Sequence, residues 1–166
     1  MSPIRIIGVG SPFGCDSIGW QALDALQELG LTEHFPSGVV TMEKLDRPGA
    51  GLLEYMRGAE QVLIIDALVG ANNRDSIVVL HADELVRESA LLSGHGLGVA
   101  EALALGQALG DLPSNLQLLG IPVDAAAETP SDIQIQPETV TELWEHICQQ
   151  IALLHPQYPS MGAHVT

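Results

Sequence analysis

The sequence predicts an α/β fold, a three-layer sandwich with a mainly parallel, twisted central sheet of about five strands flanked by helices. Three observations predict it. Short, nearly all-apolar runs such as Ile4 to Val9 and Gln61 to Ile65 have the pattern of strands buried on both faces. Between them, apolar residues recur at helical spacing, first at Ile18, Ala22, Ala25, Leu26 and Leu29. The two patterns alternate along the chain with no internal repeat, low-complexity block or linker. Residues 1–155 therefore read as one α/β domain, and 156–166 as a flexible tail with little to bury.

The elements follow in order. After the first strand comes Gly8-Val9-Gly10-Ser11-Pro12-Phe13-Gly14-Cys15-Asp16-Ser17-Ile18-Gly19, a glycine-rich turn into the first helix, which Gly30 stops. Val39 to Met42 is the second strand. Arg47-Pro48-Gly49 breaks the chain before a short helix carrying Leu52, Leu53 and Met56 and ending at Gly58. Gln61 to Ile65 is the clearest strand, with Asp66 where it ends. Gly70 to Asp75 reads as a loop, Ser76 to Leu80 as a strand, and His81 to Glu88 as a polar turn or short helix. Leu92-Ser93-Gly94-His95-Gly96-Leu97-Gly98 leads into a buried Ala/Leu helix from Val99 to Leu109. Leu116 to Val123 is a fifth strand, and Thr129 to Gln136 is irregular or a short edge. Pro137 opens a last helix with Val140, Leu143, Trp144, Ile147, Ile151 and Leu154 on one face, ended by Pro156.

Composition excludes several function classes. Of 166 residues 46% are hydrophobic and 16% charged, so burial is favoured and a disordered chain is not. Six basic against twenty-one acidic residues give a formal charge of -15, which repels phosphate backbones and anionic membranes. No nucleic-acid or membrane partner is expected. Two cysteines, Cys15 and Cys148, make neither a disulfide framework nor a cysteine-rich metal site. With no signal-peptide pattern at the start and no run long enough to span a bilayer, the expectation is a cytoplasmic monomer.

Asp16, Asp66 and His95 carry the candidate chemistry. Each lies where a strand gives way to a loop or a loop to a helix, so a parallel sheet can bring all three to its carboxyl edge. Two carboxylates and an imidazole suit a borderline divalent ion such as nickel or zinc. The residues alone leave alternatives open. Asp16 is equally a helix cap, Asp66 an acid bonded to loop N–H groups, and His95 an ordinary hydrogen-bonded loop histidine. The remaining histidines, His34, His81, His146, His155 and His164, read as solvated. A thiolate at Cys15 is disfavoured by the neighbouring Asp16, and no serine or cysteine with a partnered base is evident. A nucleotide-binding module is the rival reading, since Gly8, Gly10 and Gly14 follow a strand and Glu43 ends the next. Against it, Asp16 puts negative charge where a pyrophosphate would sit, and Pro12 removes an N–H.

The sequence resembles the hydrogenase maturation proteases, endopeptidases that remove a carboxy-terminal extension from the large subunit of nickel-iron hydrogenases. The resemblance runs from Ile4 to about Leu154. It is carried by the turn at 8 to 19, Ile-Ile-Asp-Ala at 64 to 67, Ser-Gly-His-Gly-Leu-Gly at 93 to 98, Ala-Glu-Ala-Leu-Ala-Leu-Gly at 100 to 106 and Leu-Leu-Gly-Ile-Pro-Val at 118 to 123. It implies that Asp16, Asp66 and His95 are both the catalytic and the metal-recognising residues. The metal it implies is nickel supplied by the precursor, with zinc or cadmium standing in for it in a crystal. It also implies the large-subunit precursor as partner. Family members commonly have Asn where Ser11 stands and a pair of acids where Cys15 and Asp16 stand. Counting from Gly19 puts the ligand on Asp16, whereas counting from Gly10 puts it on Ser17, which has no carboxylate. A non-catalytic chaperone that senses nickel in a client is a further alternative.

Overall fold

The computed structural model describes residues 3–12, 14–69, 76–87, 97–123 and 133–159. The elements are β1 (Ile4–Gly10), α1 (Ile18–Glu28), β2 (Val40–Asp46), α2 (Leu52–Met56), β3 (Gln61–Val69), β4 (Val78–His81), α3 (Ala82–Arg87), α4 (Leu97–Leu109), β5 (Asn115–Val123) and α5 (Pro137–Leu154). The strands form one sheet in the order β2-β1-β3-β5-β4. All neighbours pair in parallel except β4, which runs antiparallel to β5 at one edge. The mainly parallel five-stranded sheet read from the apolar runs is therefore the architecture found.

Side-chain alternation along each strand builds two cores. Ile4 and Ile6 of β1 with Leu63 and Ile65 of β3 face α1 and α5, meeting Ala22, Leu26, Leu143 and Ile147. Ile7 and Val9 with Val62 and Ile64 face α2 and α4, meeting Leu52, Met56, Val99 and Leu103. Each fully buried aliphatic side chain of this kind contributes roughly 1.5–3 kcal/mol. A strand with both faces covered must be apolar at every position, which is why these runs do not alternate.

Several boundaries and environments differ from the sequence reading. β2 runs on to Asp46 because Lys44, Leu45 and Asp46 pair with Gly8, Val9 and Gly10, so Glu43 lies mid-strand and exposed, not at an end that could meet a ribose. β3 continues past Asp66 to Val69, held by β5 as far as Val123. The Ala/Leu helix is buried on one side only. Ala102 and Leu103 pack on the sheet, while Leu105 and Leu109 are exposed, as an outer layer requires.

Three histidines read as solvated are packed instead. His34 meets Phe35 and Trp144 edge-on at 5.1 and 5.5 Å. The Nε2 of His146 lies 3.0 Å from Gln117 Oε1, and burial, then the nearby His81, lower its pKa. His155 tilts against Tyr158 at 6.2 Å. Tyr158 also packs on Phe35, so the chain is tied to the core a few residues past α5. His164, residues 160–166, the loop at 70–75 and residues 129–132 lie outside the described residues. Residues 133–136 are irregular, with Ile133 buried.

Candidate functional site

The sheet divides at its carboxyl edge. β1 pairs with β3 only as far as Gly8 opposite Ile65, whereas β5 stays paired with β3 through Asp66 opposite Gly120 and on to Val69. Asp66 is the first residue beyond that divergence. The connection leaving β1 leads to β2 on one side, and the chain leaving β3 leads to β4 and β5 on the other. A crevice at such a reversal is where open α/β sheets take their ligands.

The turn after β1 brings Asp16 to the same place. Residues Gly14–Ser17 make one 3-10 turn, and Ser17, not Asp16, occupies the cap position of α1. Two glycines permit the approach. A Cβ on Gly19 would lie 2.6 Å from Val9 O, 3.0 Å from Ile65 O and 3.5 Å from the Asp66 Cα, so only glycine lets α1 start against the ends of β1 and β3. A Cβ on Gly10 would collide with the carbonyl of Asp16. The turn is then pinned by hydrogen bonds. The Ser11 N–H donates to Asp16 O at 3.1 Å, Ser17 Oγ donates to Gly14 O at 2.8 Å, and the Gln21 amide donates to Ser17 Oγ at 3.0 Å. Gln21 also clamps the 133–136 segment, donating to Ile133 O at 2.9 Å and accepting from the Ile135 N–H at 3.0 Å. Trp20 Nε1 donates to Leu45 O at 3.2 Å, fastening α1 to β2.

Asp66 is 7% exposed, and its Oδ1 accepts the Ala67 N–H at 2.8 Å. Burial, opposed by that bond and reinforced by the charge of Asp16, raises its pKa to about 7. By alternation it shares the face of Ile64 and Leu68, the one that α4 covers. α4 ends at Leu109, shortly before β5 enters at the amino edge, and its 13 residues span roughly 20 Å, so its start points back toward the edge that holds Asp16 and Asp66. His95, two positions before that start, lies outside the described residues, as does the side chain of Cys15. Asp16 and Asp66 are thus brought together, and the third candidate belongs to the segment entering α4.

Among the described residues, Asp16 is the one charge that acts on the buried Asp66 carboxyl, so the two acids share one electrostatic environment. Oxygen donors of this kind accept a divalent ion, and an imidazole would extend them to a borderline metal. Elsewhere, Cys148 is a buried thiol whose pKa burial pushes up to about 11, which makes it inert. A cleft of about 450 Å³ between β5 and α5, lined by Gln61, His81, Gln117 and Gln150 among others, lies at the opposite edge and holds neither acid.

A family model described as hydrogenase maturation protease matches residues 48–152, more than half of the chain. The chain belongs to the hydrogenase maturation protease family. That family membership makes it a hydrolase of the peptidase kind. A curated relative, the hydrogenase 2 maturation protease of Escherichia coli, is 29% identical over 123 residues, 71% of each protein. Two solved structures share the fold. The hydrogenase-maturating endopeptidase HybD from E. coli superposes with a TM-score of 0.66 at 23% identity, covering 95% of this chain and 94% of its own. A further E. coli endopeptidase gives 0.73 at 22%, covering 93% and 94%. Within the maturation-protease fold, the match to the family spans β3 with Asp66 and the entry to α4, while the Asp16 turn precedes it.

Sequence reasoning overlooked two residues at this site. Ser11 is 2% exposed and meets Asp16 twice, through its N–H at 3.1 Å and its hydroxyl at 3.4 Å, contacts that its departure from the family's Asn does not reveal. Gln21 carries no local mark at all, and nothing in the pattern around it signals partners more than a hundred residues away.

Proposed function

We propose that this chain is an endopeptidase that removes the carboxy-terminal extension from the nickel-loaded precursor of a nickel-iron hydrogenase large subunit, as a late step of hydrogenase maturation. The observation that carries the reading is the convergence of Asp16 and Asp66 at the divergence of β1 and β3. The curated relative, named for hydrogenase 2 maturation, supports the substrate class.

In this reading the nickel arrives as part of the substrate. Asp16 and Asp66 offer oxygen donors to it, and His95 adds an imidazole from the segment entering α4. Positions left open on the precursor's nickel are filled by these three side chains, which hold the neighbouring peptide bond where a polarised water can reach it. Asp66, buried at the crevice floor, exchanges its proton for the cation. The glycine-walled turn keeps Asp16 in place, so the site is organised before the precursor docks. Metal-inspected cleavage of this kind makes processing conditional on completed nickel insertion.

Mass spectrometry of a co-expressed large subunit tests it. Wild-type protein yields the shortened subunit, and Asp16→Ala, Asp66→Ala and His95→Ala leave the longer one while retaining a cooperative thermal transition. Normal processing in Asp16→Ala would remove that residue from the site. Equal cutting of nickel-loaded and nickel-free precursor would remove metal inspection. Binding of precursor with no change in its length would favour a chaperone that senses nickel without cutting.

A further inference from the structure

Ser11 is a buried polar residue, 2% exposed, immediately after β1. Among the described residues only Ser11, Gln61 and Asp66 are buried and polar, and two of these three flank the crevice. The Ser11 N–H donates to the Asp16 carbonyl at 3.1 Å, closing the turn. Its hydroxyl faces the same residue's carboxylate, with Oγ 3.4 Å from Oδ2. That separation is at the long end for an O–H···O bond, so the contact adds little to folding, and what it offers is a donor facing Oδ2. The backbone bond and the hydroxyl together grip Asp16 at both its main chain and its side chain.

We propose that Ser11 is the positioning residue for Asp16: its hydroxyl orients the Asp16 carboxylate toward a cation at the crevice. This inference rests on the assignment of Asp16 to the site. A carboxylate that must meet a metal from a flexible turn loses affinity unless a second group fixes its rotation, and removal of such supporting groups typically lowers metal affinity or activity about 10–100-fold. Ser11 supplies that group from β1's own exit, a rigid strand end, so the donor does not depend on the bound partner.

The test compares wild type with Ser11→Ala, Ser11→Thr and Asp16→Ala. Nickel affinity of the purified protein is measured by calorimetry, processing by mass spectrometry, and fold by thermal denaturation. Ser11→Ala should bind nickel and process precursor about 10–100-fold less well while its melting temperature stays within a few degrees of wild type. Ser11→Thr, which keeps the hydroxyl, should recover to within about 3-fold wherever its melting temperature is retained. Unchanged nickel affinity and processing in Ser11→Ala, with Asp16→Ala inactive in both, overturns the positioning role and leaves the Asp16 assignment standing. Unchanged nickel binding and processing in Asp16→Ala overturns the assignment itself.

Discussion

Replacing Asp66 with Asn should remove the pH dependence that this one buried carboxyl imposes on stability. The folded pKa is raised from the ordinary 3.8 to about 7, first by burial and then by Asp16, against the opposing Ala67 bond. The folded state therefore holds a proton that the unfolded chain has already released between those two values. Stability from this group is complete below the unfolded pKa and is lost as pH rises through the folded one. From pH 5 to pH 8 the wild type should lose about 3 kcal/mol relative to Asp66→Asn, since each unit between the two pKa values costs about 1.4 kcal/mol and the loss levels off above 7. For a domain of this size that corresponds to roughly 5–10 °C in melting temperature. Urea denaturation of both proteins at pH 5, 6, 7 and 8 measures it, because charges common to the two cancel in the difference. A difference that stays flat, or one in which the wild type gains on the variant as pH rises, would refute the reasoning.

Two further substitutions test the framework around the site. Gly19→Ala must push a methyl against Val9 O and Ile65 O, and should destabilise the protein by about 1–3 kcal/mol or more, read as a lowered urea midpoint with an unchanged slope. Gln21→Leu removes both bonds to residues 133–135 and should cost about 1–3 kcal/mol, with faster amide exchange at Ile135 and little change in the exchange of β3.

Much of the fold was legible because double burial leaves a local mark. β1 and β3 are apolar at nearly every position since helices cover both sheet faces, and α5 shows one apolar stripe because only one side meets the sheet. Strand ends were less legible. Asp66 looked like a terminator because a buried acid is unusual inside a strand, yet Ala67, Leu68 and Val69 continue against Ile121, Pro122 and Val123. His34 and His146 looked solvated because each follows a glutamate, Glu33 and Glu145, and their real surroundings, Trp144 and Gln117, come from other elements.

The sequence by itself determined the alternation of strands and helices, the glycine turn after β1 and the presence of one acid in that turn and another at the end of the apolar run from Gln61 to Ile65. These are local properties, written in periodicity and in residues that tolerate sharp turns. The tertiary structure alone decided that β3 parts from β1 at Asp66 and that α1 closes on the two strand ends through Gly19. It also decided that Ser11 is buried against Asp16. Those facts depend on which strand lies beside which, and strand order is set by the packing of two cores on one sheet.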